Sequence, residues 1–262
     1  QKLLNNKLKK SKLVKFRIID NYKDVIKQKY KLIINNNPNH QISKSFFYNK
    51  IEKNYDSCAY TTIINHKRYA ENKTAFQNFT INGPIAFLPF SETQTSVVCS
   101  FINKSKKENL NINNLIKKYN PVYSITKIKD HSVFKLKLSN LRKYYQDNIL
   151  AFGDLLHKIH PLAGQGFNMS LRDIKLLSNL IDEKINLGLD IDHTICEEFQ
   201  KNSKDKNFLF STGIDLIYEF FNFESKINSN FLGKTINIIG KNNTMNSLFK
   251  KIANEGLVYK NY

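Results

Sequence analysis

The sequence has few cysteines, and they form no recognisable motif. Cys58, Cys99 and Cys196 are the three cysteines of the 262-residue chain, and no two of them make a Cys-x-x-Cys pair. Such isolated residues are typical of reduced thiols in a cytosolic protein rather than of a disulfide framework. The sequence therefore predicts a cytoplasmic location.

Long apolar runs and targeting signals are also missing. No stretch reaches the roughly 18 apolar residues that indicate a transmembrane helix, and no secretory signal peptide is visible. Hydrophobic residues nevertheless make up 41% of the chain, which argues against wholesale disorder. The sequence thus predicts a globular protein with a substantial core.

Acidic residues are scarce relative to basic ones. The formal net charge of +19 would suit nucleic acid, an anionic membrane or acidic ligands. The lysines are spread along the chain beside abundant Asn and Ile, and the Lys-rich patches at 7–15 and 104–107 lack the interleaved aromatic residues of a base-stacking platform. Composition bias is our first interpretation, membrane attraction the second and nucleic acid the third, so we expect no nucleic-acid partner.

Hydrophobic patterns divide the chain into a strand-rich part and a helical part. We expect a mostly antiparallel sheet in residues 46–145, with 83–90 paired to 95–102. Further strands are predicted at 13–19, 30–34, 58–66, 74–80, 122–128 and 132–138, and a short helix at 109–119. Helices follow, with core positions predicted at Leu171, Ile174, Leu177 or Ser178, Ile181, Phe199, Leu209, Phe210, Ile214 and Ile217. A helical tail is predicted at 231–239 and 246–258.

The most informative segment joins an apolar run at 149–152 to an amphipathic helix that begins near Asn168. Gly153 and Asp154 end the run. A loop follows that contains Pro161, Gly164 and Gly166. A strand here would place Asp154 at its carboxyl end, where α/β sheets bind ligands. Glycines let backbone N–H groups approach a ligand, and a helix N-terminus favours negative charge, so the spacing weakly predicts an anion or polar-cofactor site.

The same segment resembles a known family at many specified positions. The second flavin motif of the ubiquinone-biosynthesis hydroxylases, FAD-dependent aromatic monooxygenases of the para-hydroxybenzoate hydroxylase superfamily, is similar to Gly153-Asp154-x-x-His157-x-x-His160-Pro161-Leu162-Ala163-Gly164-Gln165-Gly166-x-Asn168-x-x-Leu171-Arg172-Asp173. The family's Gly-Pro-x-Ala-x-Leu-Pro strand is similar to Asn82-Gly83-Pro84-Ile85-Ala86-Phe87-Leu88-Pro89. The resemblance covers nearly the whole chain, which corresponds to the C-terminal portion of the family.

The resemblance implies an α/β (α+β) fold. A Rossmann-like FAD-binding domain, with its first βαβ unit absent, would accompany an antiparallel-sheet substrate domain and C-terminal helices. Residues 1–45 would end the first half of the FAD domain, and 46–145 would form the substrate domain. Residues 146–190 would return to the FAD domain, and 191–262 would form the C-terminal helical region.

The resemblance also implies a cofactor-binding set. Asp154 would bind a ribityl or ribose hydroxyl of FAD, since an ionised carboxylate is a good acceptor for a sugar hydroxyl. The other members are Gly153, Pro161, Gly164, Gln165, Gly166, Phe167 and Asn168, whose loop would face the flavin ring. The alternatives are a turn cap at Asp154 and a tight loop-to-helix turn that binds nothing.

Other candidate residues are weighed against ordinary structural roles. Phe87 and Phe90 would line a pocket for a polyprenylated phenol, with sheet core as the alternative. His157 and His160 lack a third ligand at sensible spacing, so no metal is expected and both are interpreted as residues that hold the loop. An aromatic cluster around Phe220 would contact either membrane lipid or a neighbouring helix. No catalytic base is assigned.

Two departures from the family pattern are visible. No Gly-x-Gly-x-x-Gly follows a strand, so the βαβ unit that binds the FAD diphosphate is expected upstream of Gln1, which is not a Met. The family's Asp-Gly pair after the strand at 30–34 is replaced by Asn37-Pro38. Asn has no charge, and Pro donates no N–H.

Three functional hypotheses remain. The first is an FAD-dependent aromatic hydroxylase that uses NAD(P)H and dioxygen to hydroxylate a polyprenylated phenol in ubiquinone biosynthesis, in a biosynthetic complex or at the inner face of the cytoplasmic membrane. The second is a degenerate, non-catalytic relative that binds a partner or lipid, which Asn37-Pro38 and the missing βαβ unit suggest. The third, a nucleic-acid binder, rests on charge alone.

Overall fold

A computed structural model describes residues 2–19, 21–80, 83–102, 111–161 and 164–227, with Thr244, Ser247 and Lys251. The helices are α1 (Lys2–Lys10), α2 (Tyr22–Lys27), α3 (Gln41–Phe46), α4 (Ile112–Lys118), α5 (Gln165–Asn186) and α6 (Thr194–Ile227). The strands are β1 (Ile33–Asn35), β2 (Lys50–His66), β3 (Phe76–Thr80), β4 (Gly83–Ser91), β5 (Gln94–Ile102), β6 (Ile125–Ile128), β7 (Ser132–Leu141), β8 (Tyr145–Gln146), β9 (Ile149–Ala151) and β10 (His157–Lys158). The Lys patch at 104–107, Leu162 and Ala163, and most of the predicted tail lie outside the described residues.

The smaller sheet has the strand order β1-β9-β8. β1 runs parallel to β9, with Ile33 opposite Ile149, whereas β8 is antiparallel to β9. All three residues of β9 are buried in a core that includes residues of α3, α5 and α6, as expected for a strand covered on both faces. This parallel pair confirms the predicted strand after residue 148 and the α/β character of the domain.

The predicted strand at 13–19 is wrong. These residues form no strand, and Leu13, Phe16 and Ile18 are exposed. Their β-branched and apolar side chains fit a strand, but a strand forms only where a neighbour completes its hydrogen bonds. Among the residues that the structure describes, none pairs with this segment.

The larger sheet is antiparallel and confirms the sheet predicted for residues 46–145. Its order is β10-β7-β2-β5-β4-β3, with β6 also paired to β2. β4 pairs with β5 as predicted, with Phe87 opposite Val97. β2 is longer than the predicted 58–66 because its pairing with β7 continues across an irregularity between Asn54 and Cys58.

The two faces of the larger sheet pack against different helices. On one face, which we call the α4 face, Ile64, Phe87 and Val97 form a core with Ile112 and Ile116 of α4. The opposite face, which we call the α6 face, carries Ala59, Leu136 and Leu138, which pack against Tyr218 of α6. The register places five further residues on the α6 face: Thr61, Ala86, Val98, Ser100 and Phe134.

The predicted core face of α5 is partly confirmed. Leu177 is buried and Ile181 packs against the core, whereas Leu171 and Ile174 are exposed. The other buried residues of the helix are Met169, Asp173 and Leu180. The error has a physical cause, because a buried carboxylate occupies the centre of the true core face. Gly188, with a φ of 67°, follows the helix end as predicted.

The prediction for α6 is partly confirmed. Phe199 and Ile214 are buried, but Leu209 and Ile217 are exposed. The core face of this helix also passes through polar residues, namely Ser203, Asn207 and Ser211. None of the described helices combines the length and apolar character that a membrane-spanning segment needs.

Candidate functional site

The carboxyl ends of the parallel strands β1 and β9 lie side by side. The N–H of Phe152 donates to the carbonyl oxygen of Asn35 at 2.9 Å. A Cβ atom at Gly153 would lie 4.0 Å from the Cβ atom of Asn36. Residues 35–36 and 152–153 therefore form one edge of the smaller sheet, which is the edge where α/β sheets bind ligands.

Asp154 lies at this edge in a short 3-10 helix, Gly153–Leu155. Gly153 adopts a left-handed conformation with a φ of 60°, which turns the chain sharply at the end of β9. Leu155 and Leu156 are buried in the core of the smaller sheet and fix the turn, whereas Asp154 is exposed. A ligand at the sheet edge can thus reach the carboxylate.

The N-terminus of α5 forms the second half of the candidate site. Gly164 caps this 22-residue helix with a φ of 60° and no side-chain hydrogen bond. A helix of this length leaves its first N–H groups without intrahelical partners and attracts negative charge. Apart from its chain neighbours, no atom of the described residues lies within 4 Å of the position that a Cβ at Gly164 would take, so these residues leave room for a ligand there.

The predicted cofactor-binding residues lie on two elements that are in contact. α5 packs against the 3-10 helix that carries Asp154, so both belong to one packed unit. Gln165, Gly166, Phe167 and Asn168 form the first turn of α5, with Phe167 exposed. Within that turn, Nδ2 of Asn168 donates to Oε1 of Gln165 at 3.3 Å. Pro161 precedes the turn.

A buried hydrogen-bond network anchors the segment that carries the site. Nε2 of His157 donates to Oδ2 of Asp173 at 2.8 Å, and both side chains are almost inaccessible, at 1% and 3% exposure. Nδ2 of Asn207 donates to Oδ1 of the same carboxylate at 3.0 Å. The network joins β10, α5 and α6, which supports the interpretation of His157 as a residue that holds the loop.

The Asn37-Pro38 corner is closed by its own hydrogen bonds. Nδ2 of Asn35 donates to Oγ of Ser43 at 2.7 Å, and that hydroxyl donates to the carbonyl oxygen of Asn37 at 2.6 Å. Oδ1 of Asn37 accepts from the N–H of Asn39 at 2.9 Å. This side-chain oxygen, which replaces a carboxylate of the family motif, thus serves the local turn.

The two residues predicted for the substrate pocket are not brought together. Phe87 is completely buried on the α4 face, with its ring 6.1 Å from that of Tyr123, and Phe90 is 70% exposed. Ile159, next to the cofactor loop, packs with Tyr55 and Ala59 on the α6 face instead. Phe87 therefore points away from the side of the sheet that carries the loop.

Sequence reasoning missed the small residues of the α6 face. Ala59 pairs with Ser100 and Thr61 pairs with Val98, which in turn pairs with Ala86. Their alternation with Phe87, Val97 and other large residues is the signal that could have identified them. The alternation does not tell which set of residues faces the cofactor loop, because that depends on non-local strand pairing and on the helices above each face.

The sequence matches known flavoproteins over much of its length. A family model described as an FAD binding domain matches residues 58–186. Ubiquinone biosynthesis monooxygenase COQ6 of Danio rerio is 25% identical over 227 residues, which cover 70% of this chain and 46% of the relative. The 3-demethoxyubiquinol 3-hydroxylase of Escherichia coli strain K12 is 30% identical over 156 residues, covering 56% of this chain and 40% of the relative. The chain thus spans about half the length, or less, of these relatives.

Solved structures show the same fold. The p-nitrophenol 4-monooxygenase PnpA from Pseudomonas putida DLL-E4 superposes with a TM-score of 0.63 at 11% identity, covering 86% of this chain and 59% of that one. PqsL, a probable FAD-dependent monooxygenase from Pseudomonas aeruginosa, gives 0.57 at 15% identity, covering 78% and 58%. No comparison favours the degenerate relative. In motif and sequence this chain is therefore similar to the FAD-dependent hydroxylases that include the ubiquinone-biosynthesis monooxygenases.

Proposed function

We propose that the chain supplies the part of an FAD-dependent hydroxylase that holds the ribityl and ring portions of FAD. The hydroxylase would add an oxygen atom from dioxygen to a polyprenylated phenol in ubiquinone biosynthesis. The observation that carries this proposal is the exposed carboxylate of Asp154 at the carboxyl edge of β9, on a turn that packs against α5, the helix whose N-terminus is open. The names of the sequence relatives support the substrate class.

These residues fit the cofactor chemically. A carboxylate accepts hydrogen bonds from sugar hydroxyls, which suits Asp154 to the ribityl chain. The first-turn N–H groups of residues 165–168 would stabilise negative charge that develops at the pyrimidine edge of a reduced flavin. When bound, FAD would supply the redox chemistry, accepting hydride from NAD(P)H and activating dioxygen. The protein orients the ring and excludes water around it.

The α6 face of the larger sheet is the proposed substrate side. It adjoins the cofactor loop through Ile159, and the small side chains of Ala86 and Ser100 on this face would let a planar ring come close to the sheet. The Thr61 hydroxyl, on the same face, could hydrogen-bond a phenol oxygen. This assignment replaces Phe87 and Phe90 as the pocket residues we propose.

Asp154→Ala should weaken flavin binding without affecting stability. Loss of a charge-assisted hydrogen bond is expected to lower affinity for riboflavin about tenfold or more, as measured by quenching of riboflavin fluorescence. Because Asp154 is exposed, the free energy of unfolding should change by less than about 0.5 kcal/mol. Asp130→Ala, at an exposed loop position, is the matched control. Equal affinities of the wild type and Asp154→Ala would contradict the assignment.

Neighbouring substitutions in β4 should separate the substrate face from the core. In the full-length enzyme, Ala86→Leu on the α6 face should raise KM for the phenol about tenfold or more by filling ring space. Phe87→Leu should leave KM unchanged and lower the free energy of unfolding by about 1 kcal/mol. Steady-state kinetics and urea unfolding measure the two effects. If Phe87→Leu raised KM selectively, Phe87 would be a pocket residue after all, and the assignment to the α6 face would be contradicted.

The activity itself is tested in a host that lacks its ubiquinone hydroxylase. Expression of the full-length protein that contains this chain should restore ubiquinone, quantified by mass spectrometry, and the purified protein should be yellow. A colourless protein that takes up no FAD would end this proposal. The isolated 262-residue chain should bind FAD weakly, because it contains no Gly-x-Gly-x-x-Gly diphosphate site.

Membrane contact and membership of a ubiquinone-biosynthesis complex belong to the same proposal. Leu216, Phe220 and Phe223 of α6 are exposed, which is unusual for large apolar side chains on one helix. Such a surface would bring the enzyme to a substrate that resides in the bilayer, at the inner face of the cytoplasmic membrane. Flotation of the protein with anionic lipid vesicles tests the contact.

A further inference from the structure

Three aromatic rings meet directly before the cofactor loop. The imidazole of His160 stacks on the ring of Tyr218 at a centroid distance of 4.1 Å and an interplanar angle of 27°. Tyr55 meets His160 edge to face at 5.1 Å and Tyr218 at 4.9 Å. The rings come from β2, from the segment after β10 and from α6, and His160 is only 1% exposed. We call these three residues the ring cluster.

Ion pairs hold the outer side of the ring cluster. The Tyr55 hydroxyl donates to Oδ1 of Asp215 at 2.8 Å. Nζ of Lys53 lies 3.0 Å from the Asp215 carboxylate and 2.8 Å from that of Glu219. Asp215 and Glu219 of α6 thus bind this helix to β2. The ring cluster is held by its own ring contacts and by these polar contacts on its outer side.

Burial keeps the imidazole neutral at physiological pH. Desolvation lowers the pKa of His160 to about 4, against the opposing influence of the Asp215 carboxylate. The charged and titratable groups facing it are Lys53 and Tyr55 from β2, and Asp215, Tyr218 and Glu219 from α6. A neutral ring can stack in this enclosed place without the cost of burying a charge.

We propose that His160 is a positioning residue: its stack in the ring cluster sets where the segment 161–164 begins and thereby where the first turn of α5 lies. His160 precedes Pro161 directly, and only three residues separate it from the Gly164 cap. His157 anchors the chain three residues earlier, so His160 is the buried, packed residue that lies nearer to the loop. This inference rests on the proposed flavin function of that loop.

The test compares three variants of the 262-residue chain. His160→Ala removes the stack, and His160→Phe keeps a ring but cannot titrate. His66→Ala is the matched control, because His66 is also buried and lies against a tyrosine, with a ring distance of 4.6 Å to Tyr123, but at the α4 face. Hydrogen exchange is followed at the amides of residues 169–172, which have intrahelical partners near the start of α5.

His160→Ala should speed exchange at these amides about tenfold or more and weaken riboflavin binding by a similar factor. His160→Phe should restore both to within about threefold, and His66→Ala should lower Tm without altering either. Should His160→Ala not fold, Tyr218→Leu disrupts the stack from α6 and should give the same local exchange. Unchanged exchange at residues 169–172 in a folded variant would overturn the proposal.

The pH dependence supplies a readout that hydrogen exchange does not. Between pH 6.5 and 4 the unfolded imidazole takes up a proton whereas the folded one does not, so His160 lowers stability as pH falls through this window. His160→Phe should therefore lose less stability than the wild type over the same interval. Equal slopes would contradict the neutral, stacked state. The hydrogen-exchange measurement uses no flavin. A wild-type chain that binds no riboflavin would therefore contradict the proposed flavin function, whereas the positioning role of His160 would still be tested by the exchange rates.

Discussion

Gly83→Ala should lower the free energy of unfolding by roughly 3–5 kcal/mol, the sum of backbone strain and overpacking. Gly83 has a φ of 130°, a conformation open almost only to glycine. A Cβ atom there would lie 1.9 Å from the carbonyl oxygen of Ser100. That oxygen belongs to the backbone of β5, which is held by β2 and β4 and cannot move aside as a side chain would.

Urea unfolding followed by circular dichroism measures this loss, which is large beside a typical total of about 5–15 kcal/mol. Gly213→Ala is the matched control within α6, where the added Cβ would meet no atom within 4 Å among the described residues outside its own stretch of helix backbone. There the same chemical change should stabilise the protein by about 0.5–1 kcal/mol. Similar midpoints for Gly83→Ala and the wild type would show that β4 and β5 are not packed as described.

Asp173→Ala should cost about 3–5 kcal/mol, because it leaves two buried donors without an acceptor. Nε2 of His157 and Nδ2 of Asn207 both donate to this carboxylate, and all three side chains are buried. Each buried donor that loses its partner is expected to cost about 1–3 kcal/mol. The loss of unfolding free energy should therefore exceed the loss caused by an alanine substitution at any exposed acidic residue of α5.

Chemical denaturation of three variants checks this prediction. Asp173→Asn keeps the volume and one oxygen acceptor, and should cost about 1–3 kcal/mol. Asp182→Ala, at an exposed position on the same helix, should change stability by less than about 0.5 kcal/mol. If Asp173→Ala behaves like Asp182→Ala, the network does not anchor the loop.

The local geometry of the candidate site was predictable from the sequence because its signals are local. An apolar run, Gly153, Asp154 and a glycine-capped helix follow one another within a short stretch, and each has its own conformational preference. A strand was also predicted at 30–34, where the shorter β1 lies, although its parallel pairing with β9 was not. The elements themselves needed no knowledge of distant residues.

The remaining features depend on contacts between distant residues. The core faces of α5 and α6 were predicted only in part because Asp173 and Asn207, which look like surface residues, are buried against each other and His157. The role of Phe87 was misjudged because strand register and helix placement decide which face of a strand meets the loop. The strand predicted at 13–19 is absent for the same reason, because β-propensity does not supply a partner strand.

The length of α6 has a mechanical consequence. Its 34 residues extend for roughly 50 Å at about 1.5 Å per residue. Near its beginning Phe199 packs on Phe152 of the smaller sheet, and near its end Tyr218 packs on the larger sheet. α6 therefore packs against both sheets. Moving the two sheets apart would require breaking the packing of α6 on one of them.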